Sequence, residues 1–268
     1  MSIILYTPKE IQKMHAPAKI ASDTLSYLKK FVKVGITTSE INLIAHDYIK
    51  SHDATPAPLK EGFPAAICTS VNDEICHGIP DDRTLQDGDI LNIDVSLYKD
   101  GFCGDVSKMF LIGNVSDDAK KLVTTTYECL VRSLLILRPG ISLFDIAKRI
   151  QTHANNNNYS VVRDFCGHGL GKTLHEEPQI LHYVIKGSDG SWQKKTKLKE
   201  GMVFAIEPMI NAGGYELFIH DNNWTALTKD SSLSAQYEHM VAITKKGAKI
   251  LTLDEDEKNN PLFKRFIV

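Results

Sequence analysis

The stretch Gly88–Gly113, GDILNIDVSLYKDGFCGDVSKMFLIG, decides the fold of this chain. Two runs rich in β-branched, aromatic and other apolar residues, Ile90–Tyr98 and Phe102–Ile112, lie on either side of the short connection 99–101. That connection reads Lys-Asp-Gly, and an Asp-Gly pair between two such runs is typical of a tight turn between antiparallel strands. The stretch therefore predicts a β-hairpin.

Each predicted strand carries one aspartate among apolar residues, Asp94 in the first strand and Asp105 in the second. A two-residue loop with residues 99–100 at its tip would place the two aspartates directly opposite each other. With residues 100–101 at the tip, Asp94 would face Ser107 and Asp105 would be a diagonal neighbour. Side chains alternate with period two along a strand, so both registers put the two carboxylates on one face of the sheet.

Two carboxylates this close repel each other unless a shared proton or a divalent cation neutralises them. A pair of aspartates on a solvated face is the alternative interpretation of the hairpin taken alone. Further carboxylates in the same kind of setting elsewhere in the chain favour the cation.

The bulk composition is that of a globular protein, with 268 residues of which 43% are apolar and 24% charged. The net charge of −2 excludes an overall basic field for nucleic acid and a polybasic membrane patch. We find neither a signal-peptide core nor a run of about 20 apolar residues that would span a membrane. The five cysteines lack Cys-x-x-Cys spacing, which predicts reduced thiols in a cytosolic protein.

Two segments of the chain occur twice. The segment Gly35–Ile41 is similar to Gly140–Ile146, and Gly88–Asp94 is similar to Gly201–Glu207. Capping signatures predict helices over about 7–32, 37–51, 116–137 and 142–155. We therefore predict a single catalytic domain over 1–268, built from two similar halves of about 1–115 and 116–268 that share one core.

The duplication adds two more acids to the predicted cluster. Glu207 takes the place that Asp94 has in the first half, and its predicted hairpin partner, Ala235–Thr244, carries Glu238. Four buried carboxylates require compensating cations, and bridging carboxylates hold two divalent ions roughly 3.5–4 Å apart. His168, between glycines in Phe-Cys-Gly-His-Gly-Leu-Gly, is the candidate imidazole ligand; a structural buried histidine is the alternative.

Together these motifs resemble those of type I methionine aminopeptidases. They occur in the family's order: Asn-Ile-Asp94-Val, Gly-Asp105, Cys-Gly-His168-Gly-Leu-Gly, Ile-Glu207-Pro and Gln-Tyr-Glu238-His. The match extends from about residue 7 to about residue 251. The resemblance implies the α+β "pita-bread" fold, a curved, mostly antiparallel sheet backed by helices with an internal pseudo-twofold repeat.

The resemblance also implies a dinuclear metal site. By the family's pattern, Asp94 chelates one ion, His168 and Glu207 chelate the other, and Asp105 and Glu238 bridge them. Mn²⁺, Fe²⁺, Co²⁺ and Zn²⁺ all tolerate this ligand set. Asn72 and Ser234 stand where bacterial members can hold a monovalent cation.

The implied reaction is hydrolysis of the first peptide bond by a hydroxide held between the two metal ions. Glu207 resembles the family's general acid/base, which transfers the proton to the departing amine. His77, in Cys-His-Gly-Ile-Pro, and His175, in Leu-His-Glu-Glu-Pro, resemble its two substrate-side histidines. Alternatively, His77 is a turn residue without a partner, and His175 supports the neighbouring glutamates.

The substrate side follows the family less closely. Three residues stand where the family lines its methionine pocket: Phe63, Cys68 and Trp224. Ala57, Lys60 and Leu174 replace residues that are often Cys, Tyr and Phe. The segment 185–197 is longer than usual, and its Gly-Ser-Asp-Gly composition predicts an exposed loop.

The predicted activity is removal of the initiator methionine from nascent polypeptides when the second residue is small. We expect a cytoplasmic monomer that binds neither nucleic acid nor membrane; the resemblance is compatible with transient ribosome association. The alternatives are an X-Pro peptidase, which usually has an extra N-terminal domain, and a catalytically dead binding protein, which would have lost ligands. A type II methionine aminopeptidase would need a far longer insertion between His168 and Glu238.

Overall fold

The computed structural model describes residues 2–267. The helices are α1 Pro8–Leu28, α2 Thr38–Ser51, α3 Ala57–Lys60, α4 Asp117–Leu134, α5 Leu143–Asn156, α6 Ser191–Lys195 and α7 Glu255–Asn259, with 3₁₀ turns at Ser188–Gly190 and Lys264–Phe266. The strands of the first half are β1 Thr55–Pro56, β2 Cys68–Val71, β3 Glu74–Cys76, β4 Ile90–Lys99 and β5 Phe102–Leu111. Those of the second half are β6 Ser160–Val161, β7 Gly167–Gly169, β8 Glu176–Ile180, β9 Val203–Ile206, β10 Met209–Asn211, β11 Leu217–Ile219, β12 Ala226–Thr228, β13 Ser234–Gln236, β14 His239–Thr244 and β15 Gly247–Ile250.

The predicted hairpin is β4 paired with β5 along its whole length, and its register is now settled. Lys99 pairs with Phe102, so residues 100–101 form the tip, and Asp94 lies opposite Ser107. The register with residues 99–100 at the tip is wrong. Asp100 (φ 51°) and Gly101 (φ 80°) both have the left-handed backbone that a tight hairpin turn requires.

The two halves repeat one strand order, and the paired strands are antiparallel. In the first half β4 lies between β5 and β2, and in the second half β9 lies between β14 and β7. The central strand of each trio belongs to the duplicated motif: Asp94 lies in β4, and Glu207 directly follows β9. This arrangement agrees with the duplication read from the sequence and with the pita-bread fold.

The second carboxylate strand is interrupted, contrary to the single strand predicted over 235–244. β13 pairs with β10 and β14 pairs with β9, leaving a gap at residues 237–238. Met209 pairs with Gln236 on one side of the gap and Ile206 with His239 on the other. The register is therefore the same on both sides, which places Glu207 and Glu238 opposite each other within the gap.

The predicted helices are present, and the capping boxes at Thr7, Thr37 and Ser142 form as expected. α1 ends at Leu28, earlier than the predicted residue 32, because the N–H groups of Lys30 and Phe31 bond three residues back in a tighter turn. α4 ends at residue 134 and not at the predicted residue 137.

Helices α1 and α2 pack behind the first-half sheet, and α4 and α5 enclose the core of the second half. A further buried cluster draws on both halves, since Met14 and Phe102 pack with Leu170 and Met240. Gly104 allows α1 to approach β5 closely: a Cβ at this position would lie 2.3 Å from the backbone of Pro17. Within residues 2–267, no helix combines the length and apolar character needed to cross a bilayer.

Candidate metal centre and active site

The five predicted metal ligands line one cavity of about 440 Å³ between the two halves of the sheet. Asp94 and Asp105 come from β4 and β5, and His168 comes from β7. Glu207 follows β9 and Glu238 precedes β14, at the gap in that ladder. Packing of the two sheets against each other therefore brings together residues that are up to 144 positions apart in the chain.

Three of the five ligands form a compact group. One ligand atom from each of Asp105, His168 and Glu238 lies within 4.8 Å of the other two. Nε2 of His168 is 3.4 Å from Oε1 of Glu207 and 3.7 Å from Oδ2 of Asp105. Asp94 lines the same cavity beside this group.

The surroundings of these buried carboxylates disfavour their ionised form. Burial raises the pKa of Asp94 to about 7. Burial, with the neighbouring carboxylates adding to it, raises the pKa values of Asp105, Glu207 and Glu238 well above their usual range. A cation among them would offset both effects.

His168 has its free lone pair aimed at the carboxylates. Its Nδ1 lies 3.1 Å from the carbonyl oxygen of Gly169, and a carbonyl only accepts, so Nδ1 carries the hydrogen. Burial lowers the pKa of His168 to about 4, which leaves Nε2 unprotonated at neutral pH. A histidine whose other nitrogen donates to a carbonyl is the usual form of a metal-bound imidazole.

Two carboxylate oxygens lack a hydrogen-bond donor among residues 2–267. Within residues 2–267, no hydrogen-bond donor reaches the buried atoms Oδ1 of Asp94 and Oε1 of Glu207. Buried charged oxygens are normally paired or bound to metal. The donor set, oxygen-rich with one imidazole, fits divalent cations.

The two predicted substrate histidines lie at the edge of this group and line the cavity. The ring of His175 is 4.5 Å from that of His168, and the ring of His77 packs edge-on against Phe165 at 5.3 Å. Burial lowers the pKa of both His77 and His175. Each is therefore a neutral imidazole at pH 7, with one N–H to donate.

An apolar wall adjoins the carboxylates. Phe63 and Trp224 pack edge to face, with ring centroids 5.3 Å apart, and Cys68 and Leu174 line the same cavity. The departures at positions 57 and 60 lie away from it. Ala57 is buried in the core cluster shared by both halves, and Nζ of Lys60 lies 4.4 Å from the ring of Tyr98.

Comparison with known proteins decides the family. The pattern of metallopeptidase family M24 matches residues 12–245. A methionine aminopeptidase from Rickettsia prowazekii is 45% identical over 263 residues, covering 97% of this chain and 99% of that protein. The chain belongs to metallopeptidase family M24. The crystal structure of methionine aminopeptidase from Rickettsia prowazekii matches 94% of this chain and 100% of that one, with a TM-score of 0.89.

More distant proteins share this fold. The prolidase from Pyrococcus furiosus matches with a TM-score of 0.73 at 21% identity, and this chain covers only 66% of its length. That likeness shows the shared fold alone. The identity and the full-length match both favour a methionine aminopeptidase over the X-Pro peptidase alternative, and membership of M24 means that this chain binds divalent metal.

Two residues of this M24 site escaped the sequence prediction, His182 and Gln236. Nε2 of His182 accepts the backbone N–H of Glu207 at 3.3 Å, and burial lowers the pKa of His182 to about 3. Gln236 donates from Nε2 to Oε2 of Glu207 at 3.1 Å. For His182 the available signal was a polar residue inside an otherwise apolar run, Ile-Leu-His182-Tyr-Val-Ile; for Gln236 it was only the closeness of Glu238 in the chain.

The loops proposed for a monovalent cation meet in the structure. The N–H of Ser234 donates to the carbonyl of Asn72 at 2.8 Å, and Oγ of Ser234 is buried without a partner among residues 2–267. The side chain of Asn72 is held by Asp89 and by the N–H of Ile90. The cation itself stays a prediction.

The segment 185–197 is only partly the exposed loop that its composition predicted. Residues 186–189 are exposed, but α6 follows, and its Gln193 is buried. Oε1 of Gln193 accepts the N–H of Ile185 at 3.0 Å, and Nε2 donates to the carbonyl of Tyr183 at 2.9 Å. Composition missed this because one buried amide ties the whole segment to the domain.

Proposed function

We propose that this M24 peptidase removes the N-terminal methionine from newly made polypeptides whose second residue is small. The observation that carries the proposal is one cavity in which a carboxylate and imidazole cluster lies beside the apolar wall of Phe63 and Trp224. The carboxylate and imidazole cluster supplies the hydrolytic chemistry. The apolar wall suits an unbranched thioether side chain.

In this proposal, Asp94 would hold one divalent ion, and His168 with Glu207 would hold the other. Asp105 and Glu238, which adjoin His168, would be the ligands that the two ions share. The bound ions would polarise the scissile carbonyl and lower the pKa of a water molecule so that it attacks at neutral pH. Mn²⁺, Fe²⁺, Co²⁺ and Zn²⁺ all satisfy such ligands.

Glu207 is assigned the proton transfer. Its Oε2 is fixed by Gln236 and its backbone N–H by His182, so the carboxylate has a defined orientation in the cavity. Such a group takes a proton during attack and returns it to the departing amine, an effect typically worth 10²–10⁴-fold.

His77 and His175 are assigned to the substrate. Both are neutral, so each can donate one hydrogen bond to the oxygen on which negative charge develops. Their positions on the cavity wall also restrict the second side chain, because a bulky group there would displace the carbonyl. A misplacement of about 1 Å can cost roughly 10²-fold in rate.

The cavity carries further acids, Glu61, Asp164 and Glu177, beside the ligand set. A negative cavity attracts the positively charged α-amine of an unblocked N-terminus. A formylated methionine lacks that charge and would have to be deformylated first. We place this activity in the cytosol, in a monomer, and we assign a monovalent cation to the loops of Asn72 and Ser234.

The test is a panel of Met-X peptides with X from Gly to Trp, together with an N-formylated Met-Ala control and an Ala-Pro peptide. We expect kcat/KM to be high for small X, at least 10²-fold lower for Leu, Lys or Trp, and negligible for the two controls. Comparable rates for Met-Ala and Met-Leu would refute the second-residue rule. Preferential cleavage of the Ala-Pro peptide would instead show an X-Pro peptidase.

A further inference from the structure

A buried polar network lies directly behind the carboxylate cluster, and Glu257 of α7 is its centre. Oε1 of Glu257 is 3.1 Å from Nε2 of His239 and accepts the hydroxyl of Tyr127 at 3.1 Å. Oε2 accepts Nζ of Lys108 at 2.9 Å and the backbone N–H of Asp254 at 3.1 Å. Glu257 is only 7% exposed, so these contacts are shielded from water.

The network is attached to the two strands that carry Asp105 and Glu238. His239 directly follows Glu238, and Lys108 is three positions after Asp105, so alternation along each strand turns the network residues to the face opposite the ligands. The strands also touch each other there, since the N–H of Glu238 donates to the carbonyl of Ser107 at 3.1 Å. One strand belongs to each half of the molecule, and α7 bridges them.

The charges in the network are settled by its contacts. Burial alone would raise the pKa of Glu257, but His239 and Lys108 outweigh it and hold that pKa well below its usual range. Glu257 is therefore an anion that only accepts hydrogen bonds, and Nε2 of His239 must carry a hydrogen. Nδ1 of His239 lies 2.9 Å from Oγ1 of Thr252, so the ring is held at both nitrogens.

We infer that Glu257 is a positioning residue for the metal centre: by holding His239 and Lys108, it sets the separation of Glu238 and Asp105. The inference rests on the proposed role of these two carboxylates as the ligands shared by both ions. Partners in the shell outside metal ligands commonly change metal affinity or activity 10- to 100-fold when they are removed.

Glu257→Gln tests this with little change in volume. Four donors surround Glu257, and an amide offers one accepting oxygen where the carboxylate offers two, so donors on one side lose their acceptor. We expect Mn²⁺ affinity of the metal-stripped protein, measured by calorimetry, to fall 10- to 100-fold. At saturating Co²⁺ we expect an altered visible spectrum and a lower kcat, with KM for a Met-Ala peptide unchanged.

Glu255→Gln is the matched control, because Glu255 lies on the same helix, is exposed, and forms an ion pair with Lys258. It should leave Mn²⁺ affinity and the Co²⁺ spectrum as in the parent. Parental Mn²⁺ affinity and a parental Co²⁺ spectrum in Glu257→Gln, with only the melting temperature lowered, would show that Glu257 merely stabilises the fold and would overturn the inference.

A second variant covers the case in which Glu257→Gln does not fold. Thr252→Val keeps the shape of the side chain but releases Nδ1 of His239, and we expect it to weaken Mn²⁺ binding several-fold; parental affinity would overturn the inference. If the parent protein binds Mn²⁺ and cleaves Met-Ala, and both variants behave like the parent, this inference is refuted and the proposed function is not. A parent that binds no Mn²⁺ would refute the ligand assignment and this inference together.

Discussion

Gln236 donates a hydrogen bond from Nε2 to Oε2 of Glu207 at 3.1 Å. The two oxygens of this carboxylate are thereby distinguished, because Oε1 lies 3.4 Å from Nε2 of His168 and has no donor of its own among residues 2–267. One oxygen is fixed by the protein and the other faces the cation site. A single side chain can therefore serve as ligand and as proton carrier.

Glu207→Gln is expected to abolish turnover while the fold is kept. The substitution preserves volume but removes the group that carries the proton, a loss on the order of 10²–10⁴ in kcat, and it removes one negative ligand. Steady-state kinetics on a Met-Ala peptide at saturating Mn²⁺ would check this, with Glu216→Gln on the surface as control. Activity close to that of the parent would remove Glu207 from the proton transfer.

His175→Ala is expected to lower kcat with little loss of bound metal, since His175 is assigned to the substrate. His168→Ala should instead lose metal, because Nε2 of His168 is the imidazole donor among the carboxylates. Elemental analysis of both purified variants, together with their kinetics, separates these roles. Equal metal loss in the two variants would show that the assignments are wrong.

The metal-free protein is expected to lose stability as pH rises from 7 to 8. A carboxyl whose folded pKa is raised stabilises the fold fully below its unfolded pKa, and that contribution disappears as pH rises through the folded value. Asp94 reaches that point at about 7, and Asp105, Glu207 and Glu238 have pKa values raised well above their usual range. Burial lowers the pKa values of His77, His168, His175 and His182, so these histidines are largely neutral in both states above pH 7 and do not oppose this trend.

For Asp94 the expected slope is about 0.7 kcal/mol per pH unit at pH 7, where half of the carboxyl is protonated, and it falls towards zero by pH 8; the other three carboxyls act in the same direction. Thermal melts of chelator-treated protein between pH 7 and 8 would measure it. Added Mn²⁺ should raise the melting temperature, and raise it more at pH 8, because the cation competes with protons for the same oxygens. Asp94→Asn should flatten the profile; a metal-free melting temperature independent of pH would contradict the prediction.

Gly104→Ala is expected to destabilise the fold by about 1–3 kcal/mol through overpacking. The added Cβ would lie 2.3 Å from the backbone of Pro17, and neither α1 nor β5 can move without disturbing the core between them. Gly214→Ala is the control, because its Cβ would meet only the ends of the Glu216 and Asp230 side chains. Chemical denaturation of both variants would check this, and equal stabilities would show that α1 can shift.

The sequence alone predicted the central hairpin, the four long helices and a cation site. The Asp-Gly tip predicted the β4–β5 hairpin, the boxes at Thr7, Thr37 and Ser142 predicted helix starts, and four acids in apolar strands predicted a cation site. These signals are local: turn residues, capping residues and alternation each act over a few positions. The duplicated motif added the correspondence between Asp94 and Glu207.

Tertiary structure decided what local signals leave open. Both registers of the hairpin place Asp94 and Asp105 on one face, so only the formed turn could distinguish them. The gap at Glu238 and the contacts of Gln236 and His182 with Glu207 depend on pairings between distant segments of the second half, and the Glu257 network also takes in Lys108 of the first half. Nothing in a short stretch of sequence encodes such pairings, because they arise only when segments far apart in the chain pack against one another.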